Sequence, residues 1–184
     1  MTSAHDALVV HLLQHSVRTG DFTLKSGKRS TWFIDAKQTT CRAEGMLLVA
    51  DAALEVIPDD VTAIGGLTMG ADAVAFGIAA IAATRGRPLR SFSVRKDAKD
   101  HGGGGRIAGA LERGDRVVIT EDAVTRGVSM LEAAVVIREE AGAVPVLLLP
   151  VVDRGGTVAA MAADHDLPLR ALVTAPDLGF PYEG

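Results

Sequence analysis

Two adjacent carboxylates, Glu121 and Asp122, stand directly after the short apolar run 117–120. The polar loop that follows them supplies two hydroxyls and a glycine: Thr125, Gly127 and Ser129. Backbone N–H groups of such a loop, with the N-terminus of a following helix, form a typical phosphate site. Carboxylates facing a phosphate would repel it, so these two are better suited to sugar hydroxyls or to a nearby metal ion. The string therefore predicts a site for a ribose 5-phosphate.

Each of these residues taken singly also fits an ordinary strand-to-helix connection, with Ser129 as the helix N-cap. The complete string is harder to explain in that way. No Gly-Lys-Ser/Thr sequence closes the loop, so it is not a Walker P-loop.

A second candidate is the segment RKDAKDHGGGGR, residues 95–106, in which six charged residues and one histidine accompany four consecutive glycines. The segment has no apolar periodicity, so we expect neither a helix nor a strand there. By itself it is more typical of a solvent-exposed loop than of a binding site.

On both sides of these two segments, stretches with the apolar period of a helix alternate with stretches typical of a strand. Periodicity predicts helices over residues 4–18, 42–57, 70–84, 129–141 and 157–164. Short apolar or alternating runs predict strands within residues 21–35 (two pieces), 61–66, 89–94, 115–120, 144–153 and 169–173. Strands that alternate with helices, and that are apolar on both faces, predict an α/β fold with a mostly parallel central sheet flanked by helices. We expect one domain over residues 1–184, with about the first fifty forming a small hood or flank.

Composition limits the class of function. The chain has 184 residues, 48% of them hydrophobic but only 4% aromatic, and a formal net charge of −4. Few aromatic side chains and no basic excess argue against a nucleic-acid partner. A single cysteine, Cys41, excludes an internal disulfide and a zinc cluster. No apolar run reaches the roughly 18 residues of a membrane span and no signal peptide is evident, so we expect a cytoplasmic protein without a membrane partner.

Four segments resemble one family. Residues 117–129 resemble the phosphoribosyl pyrophosphate motif of the type I phosphoribosyltransferases. Residues 95–102 resemble the mobile catalytic loop of the orotate phosphoribosyltransferases within that superfamily. Residues 22–35 and 151–156 resemble the segments in which a lysine contacts the pyrophosphate donor and an arginine grips orotate. The resemblance covers residues 22–156 and implies the type I phosphoribosyltransferase fold, with transfer of 5-phosphoribosyl from the donor to N1 of orotate to give orotidine 5′-monophosphate and pyrophosphate.

The resemblance also implies roles for single residues. Lys99 is the expected catalytic cation, His101 a proton source, and Asp122 a third catalytic residue. Donor binding is expected from these three and from Lys25, Arg95, Lys96, Glu121, Ala123, Val124, Thr125, Arg126, Gly127, Val128 and Ser129. Magnesium is the expected cofactor, held on the pyrophosphate, and no protein ligand for it is assigned.

Orotate is expected to contact Thr125, Arg154, Phe33 and Ile34, with Arg154 pairing its carboxylate. Because the family's catalytic loop reaches into the neighbouring subunit, we expect a homodimer with shared active sites.

Two positions depart from the family pattern: Met69 stands where many members have a lysine, and Arg126 where a small residue or threonine is common. Two alternative functions follow from the same motif, a purine phosphoribosyltransferase and a regulator that kept the fold and lost catalysis. The cation-rich loop argues against the first. The absence of a helix-turn-helix or a basic face in the sequence argues against the second.

Overall fold

The computed structural model of the protein describes residues 3–23, 27, 29–98 and 105–183. Its helices are α1 (Ala4–His15), α2 (Lys37–Thr40), α3 (Ala43–Val56), α4 (Gly70–Thr84), α5 (Val128–Val136) and α6 (Val158–Asp164). Its strands are β1 (Val17–Thr23), β2 (Arg29–Ile34), β3 (Ala63–Leu67), β4 (Arg90–Val94), β5 (Ile107–Gly109), β6 (Arg116–Val124), β7 (Val144–Asp153) and β8 (Val173–Thr174).

Six strands form the central sheet in the order β5-β4-β3-β6-β7-β8. Strands β4, β3, β6, β7 and β8 run parallel, and β5 pairs antiparallel with β4 at one edge. All five residues of β3 are buried. Burial on both faces is typical of parallel sheets covered by helices. The α/β fold with a mostly parallel sheet, predicted from the sequence, is confirmed.

The sheet separates two apolar cores. Val118, Leu149 and Val151 pack on one face with residues of α1, α3 and α4. Ile119 and Leu148 pack on the other face with residues of α5 and α6. Successive side chains of a strand point to opposite faces, so one continuous apolar strand supplies both cores. Burying each large apolar side chain stabilises the fold by about 1.5–3 kcal/mol. The packed cores on both faces therefore hold the ends of the strands in fixed positions.

Residues 17 and 18 are a correction to the sequence interpretation, whereas residues 21–23 lie within the span in which two strand pieces were predicted. The helix predicted over residues 4–18 ends at His15, and the chain continues as β1, which pairs antiparallel with β2. The Asp35 amide donates to the Ser16 carbonyl at 3.0 Å, and Val17 pairs with Ile34. These residues form a strand and not a further helical turn because they pair with β2. Strand β2 is itself held in place, since its alternation buries Ser30, Trp32 and Ile34 on one face.

Further differences concern the ends of elements. Strand β6 was expected to end at residue 120 but continues to Val124, because it pairs with β7 over its full length. Strand β5 and the single turn α2 were not predicted. A π-helical turn, Ile137–Ala141, follows α5. No helix within the described part of the chain is both long enough and apolar enough to cross a bilayer.

Candidate active site

The carboxyl ends of the parallel strands meet at one edge of the sheet, and the candidate residues lie there. From β3 the chain passes to β4 on one side, and later places β6 on the other side. Ligands of open α/β sheets bind at such a switch of strand order. Residues 68–70 leave β3 at this edge, and β6 ends beside them. The crevice between β3 and β6 is therefore the candidate site.

Glu121 and Asp122 lie within β6 at the crevice, and each is 8% exposed. A Cβ atom at Gly70 would lie 1.7 Å from Glu121 Oε1 and 2.7 Å from Asp122 Oδ1. A larger residue at position 70 would therefore displace the Glu121 carboxylate from its present position. The loop after β3 and the acidic pair form one continuous surface.

Burial raises the pKa of Glu121 to about 7, and the neighbouring charge of Asp122 adds to the shift. The Ser129 hydroxyl and Lys37 act in the opposite direction without cancelling it. Oε2 of Glu121 is buried and has no hydrogen-bond partner among the described residues. A buried carboxyl oxygen without a partner is ready to accept or donate a hydrogen bond to a bound ligand.

Lys37 is a site residue that the sequence interpretation missed. Its ammonium group, on the single turn α2, forms an ion pair with Asp122 Oδ2. Burial alone would lower the pKa of Lys37, but the hydrogen bond and charge of Asp122 outweigh it and raise the pKa. No local pattern marks this lysine, because its partner lies 85 residues further along the chain.

The loop between β6 and α5 has the backbone of an anion site. Gly127 occupies the N-cap position of α5 with φ 75°, so Gly127 and not Ser129 is the N-cap. This left-handed conformation favours glycine, and a Cβ there would also lie 2.3 Å from Val158 Cγ2. The α5 N-terminus thus has amides that no side-chain cap within the described chain occupies. It can receive a phosphate, as the sequence predicted.

Residues 153–156 form a tight turn beside this loop. Asp153 Oδ1 accepts hydrogen bonds from the amides of Gly155 at 3.0 Å and Gly156 at 2.9 Å. A Cβ at Gly155 would lie 1.8 Å from the carbonyl oxygen of Thr125. The Arg154 amide donates to the Val124 carbonyl at 2.8 Å. Thr125 and Arg154, both predicted to bind one substrate, are therefore brought together.

Comparisons with known proteins agree with this geometry. The orotate phosphoribosyltransferase of Thermosynechococcus vestitus is 38% identical over 172 residues, which cover 93% of this chain and 90% of that protein. The chain belongs to the orotate phosphoribosyltransferase family. The family resemblance inferred from the sequence is confirmed, and it is favoured over the purine enzyme and the regulator. No family model matches the chain.

Solved structures of the family have the same fold. A Mycobacterium tuberculosis orotate phosphoribosyltransferase, in complex with Fe(III) dicitrate, superposes with a TM-score of 0.84 at 34% identity, over 97% of this chain and 100% of that one. A second structure of that enzyme, in complex with 5-phospho-alpha-D-ribosyl 1-diphosphate, gives a TM-score of 0.81 at 30% identity, over 97% and 100% of the two chains.

On the side of the crevice formed by β3 and β4, the family's lysine is replaced by Met69, whose side chain is 73% exposed. The loop is held instead by Asp72. Its two carboxylate oxygens accept hydrogen bonds from the hydroxyls of Thr68 and Ser93, each at 2.6 Å. The Thr68 amide also donates to the Val94 carbonyl at 2.8 Å. These contacts fix the loop without a lysine.

The family's cationic loop leaves the sheet after β4. Arg95 is half-buried and Lys96 exposed. The Arg95 amide donates to the Arg106 carbonyl at 2.7 Å, and Arg106 Nε donates to the Arg95 carbonyl, also at 2.7 Å. This pairing closes the stem of the loop at the edge of the site. The predicted residues Lys25, Lys99 and His101 lie outside the described residues.

The remaining predicted contacts divide by exposure. Thr125, Arg126 and Val128 are exposed at the loop surface. Val124 belongs to the apolar core, so its contribution to a ligand is limited to the backbone, and Ala123 is half-buried in β6.

Phe33 and Ile34, both predicted to contact orotate, point to opposite faces of β2. Ile34 is buried in the core, whereas Phe33 is 37% exposed and packs near Phe22 with 5.8 Å between ring centroids. At most one of the two side chains can face a base.

Proposed function

We propose that this protein joins N1 of orotate to C1 of 5-phosphoribosyl pyrophosphate in the crevice between β3 and β6. The bond between C1 and the pyrophosphate oxygen breaks, its electron pair leaves with pyrophosphate, and orotate loses its N1 proton. The observation that carries the assignment is the buried acidic pair, placed between the Gly127 loop and the 68–70 loop. No other arrangement in the described chain combines hydroxyl acceptors with two flanking loops of amides at the sheet's switch point.

In this proposal the residues of β6 and the loop after it hold the ribose 5-phosphate. Amides of the Gly127 loop and the α5 N-terminus bind the phosphate. Asp122 and Glu121 accept hydrogen bonds from the ribose hydroxyls, and the ion pair with Lys37 holds the Asp122 carboxylate in place for that purpose. A sugar held at both ends presents C1 to the base with little freedom, which is the main benefit of such positioning.

Positive charge on the far side of the crevice stabilises the leaving pyrophosphate. Arg95 and Lys96, with Lys25, Lys99 and His101 as the resemblance implies, bind the oxygens on which negative charge develops. Amides of residues 68–71, held by Asp72, take the place of the missing lysine at position 69. By the family resemblance, a mobile loop covers this charge during the reaction and so excludes water.

Magnesium fits the site as a partner of the donor. No group of three or more His, Cys, Asp or Glu side chains that could hold a metal occurs in the described part of the chain. Mg²⁺ commonly takes one or two carboxylates and completes its shell with phosphate oxygens and water. Glu121, with its unpaired Oε2, is the residue here that suits such a contact. When bound, the ion would neutralise charge on the pyrophosphate.

The test of this function is the loss of orotate absorbance when the purified protein is mixed with orotate, phosphoribosyl pyrophosphate and Mg²⁺. We expect rapid loss that disappears when the donor or the metal is omitted. Uracil, which lacks the carboxylate, and purine bases serve as matched alternative acceptors. Absence of turnover with donor binding retained would contradict the proposal and favour the regulator.

We also propose a homodimer in which Lys99 and His101 act in the partner's site, as the family resemblance implies. Exposed apolar side chains on α3 and α4, including Leu47 and Phe76, offer a surface for association. Sedimentation at assay concentration checks the oligomeric state, and a monomer with full activity would contradict the shared site.

A cytoplasmic location is proposed from the composition, since the chain's one cysteine, Cys41, is an exposed thiol. Fractionation of cells that produce the protein tests this location, and recovery in the membrane fraction would contradict it.

A further inference from the structure

Arg154, the residue predicted to pair the carboxylate of orotate, already has a carboxylate partner in this structure. Its Nη2 atom forms an ion pair with Glu183 Oε2. The Arg154 side chain is 10% exposed and that of Glu183 16% exposed. A guanidinium group stays charged in proteins, so a buried one requires a partner, and Glu183 meets this requirement.

Glu183 is itself held from three sides. The Ser30 hydroxyl donates to Oε1 at 2.5 Å, Arg154 donates to Oε2, and the Glu183 amide donates to the Arg154 carbonyl at 3.1 Å. Backbone and side chain of Glu183 thus grip the same arginine. The orientation of this ion pair is therefore fixed by several hydrogen bonds, unlike that of a surface ion pair, whose two side chains are mobile.

The segment 180–183 that carries Glu183 is packed against the same wall. Phe180 stacks on Trp32, with 4.6 Å between ring centroids and 9° between ring planes. The Arg154 guanidinium lies over Trp32 as well, 4.9 Å from the ring centroid. Tyr182 covers Gly156, where a Cβ atom would lie 2.7 Å from its ring. These contacts fix where the carboxylate of Glu183 stands.

The hydrogen bonds of Arg154 are unevenly distributed. Within the described chain, the hydrogen bonds of its side chain all start from Nη2, which also donates to the Trp32 carbonyl at 3.1 Å. Nε is buried without a partner, and Nη1 makes none of these bonds. Nη2 is therefore occupied by the protein, whereas Nη1 is left to donate to a ligand.

We propose that Glu183 is a positioning residue for the base: it fixes Nη2 of Arg154 so that Nη1 of the same guanidinium meets the carboxylate of orotate. This inference rests on the proposed function, because it assumes that Arg154 binds the base. It adds a residue, and a segment of the chain, that the family motifs do not include. Glu183 acts only through Arg154 and touches neither reacting atom.

The test replaces Glu183 by glutamine, which keeps size and shape and removes the charge. In Glu183→Gln we expect the KM for orotate to rise about tenfold while the KM for the donor stays within about twofold, since only base binding is loosened. The preference for orotate over uracil in kcat/KM should fall by a similar factor, about tenfold, because uracil has no carboxylate for Arg154 to meet. If Glu183 had a purely structural role, its replacement would lower kcat/KM for orotate and for uracil by the same factor.

Asp177→Asn is the matched control. Asp177 accepts hydrogen bonds from the amide and hydroxyl of Thr174 at 2.8 and 2.7 Å, and so stabilises the nearby chain without contacting Arg154. An unchanged orotate preference in Glu183→Gln, or the same change in Asp177→Asn, would overturn the role. A lower KM for orotate would also overturn it, by showing that Glu183 competes with the substrate. Absence of orotate turnover by the unaltered protein would defeat the proposed function, and this role with it.

Discussion

The candidate site contains two ion pairs between a cation and a carboxylate, and they differ in burial. Lys37–Asp122 joins the ribose side to the flank before α3, with the lysine side chain 43% exposed. Arg154–Glu183 lies on the base side, with both side chains at or below 16% exposure. The two carboxylates are similarly buried, so the pairs differ in the cation: water reaches Lys37 far more readily than Arg154. We infer from this difference that the ion pair on the donor side can rearrange when a ligand binds, whereas the ion pair on the base side keeps a fixed orientation.

Removing the arginine of the buried pair should have the largest effect on stability. Arg154→Met leaves the Glu183 carboxylate buried without its cation, and we expect a loss of about 4 kcal/mol in the free energy of unfolding. Urea denaturation followed by circular dichroism measures this loss. Arg154→Met/Glu183→Met, which removes both charges, should recover most of the stability but not the turnover of orotate. A double variant as unstable as the single one would refute the explanation by buried charge.

The sequence predicted the site only where it is local. The acidic pair, the Gly127 loop and the turn after β7 are each contained in a few consecutive residues, so their chemistry is visible in the string. The partners that complete them are distant in sequence: Lys37 is 85 residues from Asp122, and Glu183 is 29 from Arg154. Neither lies in a recognisable motif, because an ion pair between distant segments requires only a charge at the right place in space.

The same reason explains the errors in the fold. Strands β3, β4, β6 and β7 and the long helices α3 and α4 were predicted because their apolar patterns are strong and local, whereas β8 is only Val173–Thr174 and not the predicted 169–173. The strand β1, with the sequence VRTGDFT, has only a weak pattern and is defined by its pairing with β2. Similarly, Glu121–Val124 belong to β6 because β7 pairs with them, although two charged residues in a strand would not suggest it.

A second, smaller effect should separate Glu121 from its ion-paired neighbour Asp122. The pKa of Glu121 is raised from 4.5 to about 7, so the folded protein binds this proton more tightly than the unfolded chain does. The free energy of unfolding should therefore fall as the pH rises from 4.5 to about 7, by roughly 3 kcal/mol from this residue. Glu121→Gln should remove that part of the pH dependence. Urea denaturation of both proteins at pH 5 and pH 8 separates the contribution of Glu121 from that of other titrating groups. If the free energy of unfolding changed by the same amount between the two pH values in both proteins, the raised pKa of Glu121 would be contradicted.

The half-exposed pair should give the smallest change in stability. In Lys37→Met we expect a loss of about 1–2 kcal/mol: the lysine, 43% exposed, is screened by water and salt, but the Asp122 side chain, 11% exposed, loses its cation. The effect should appear mainly in donor binding, as a rise of about threefold in the KM for phosphoribosyl pyrophosphate, since Asp122 no longer has the cation that holds its carboxylate in place. Lys37→Arg, which keeps the charge, is the control and should stay near the unaltered protein.

Salt extends this test to both pairs. Raising the ionic strength should reduce the difference between Lys37→Met and the unaltered protein, because screening weakens the pair that is being removed. The stability difference between Arg154→Met and the unaltered protein should respond less to ionic strength, since both side chains of that pair are mostly buried. If Lys37→Met destabilised the protein as strongly as Arg154→Met, and independently of salt, the two pairs would not differ in burial. The donor side would then be as rigid as the base side, and the contrast drawn between the two pairs would be wrong.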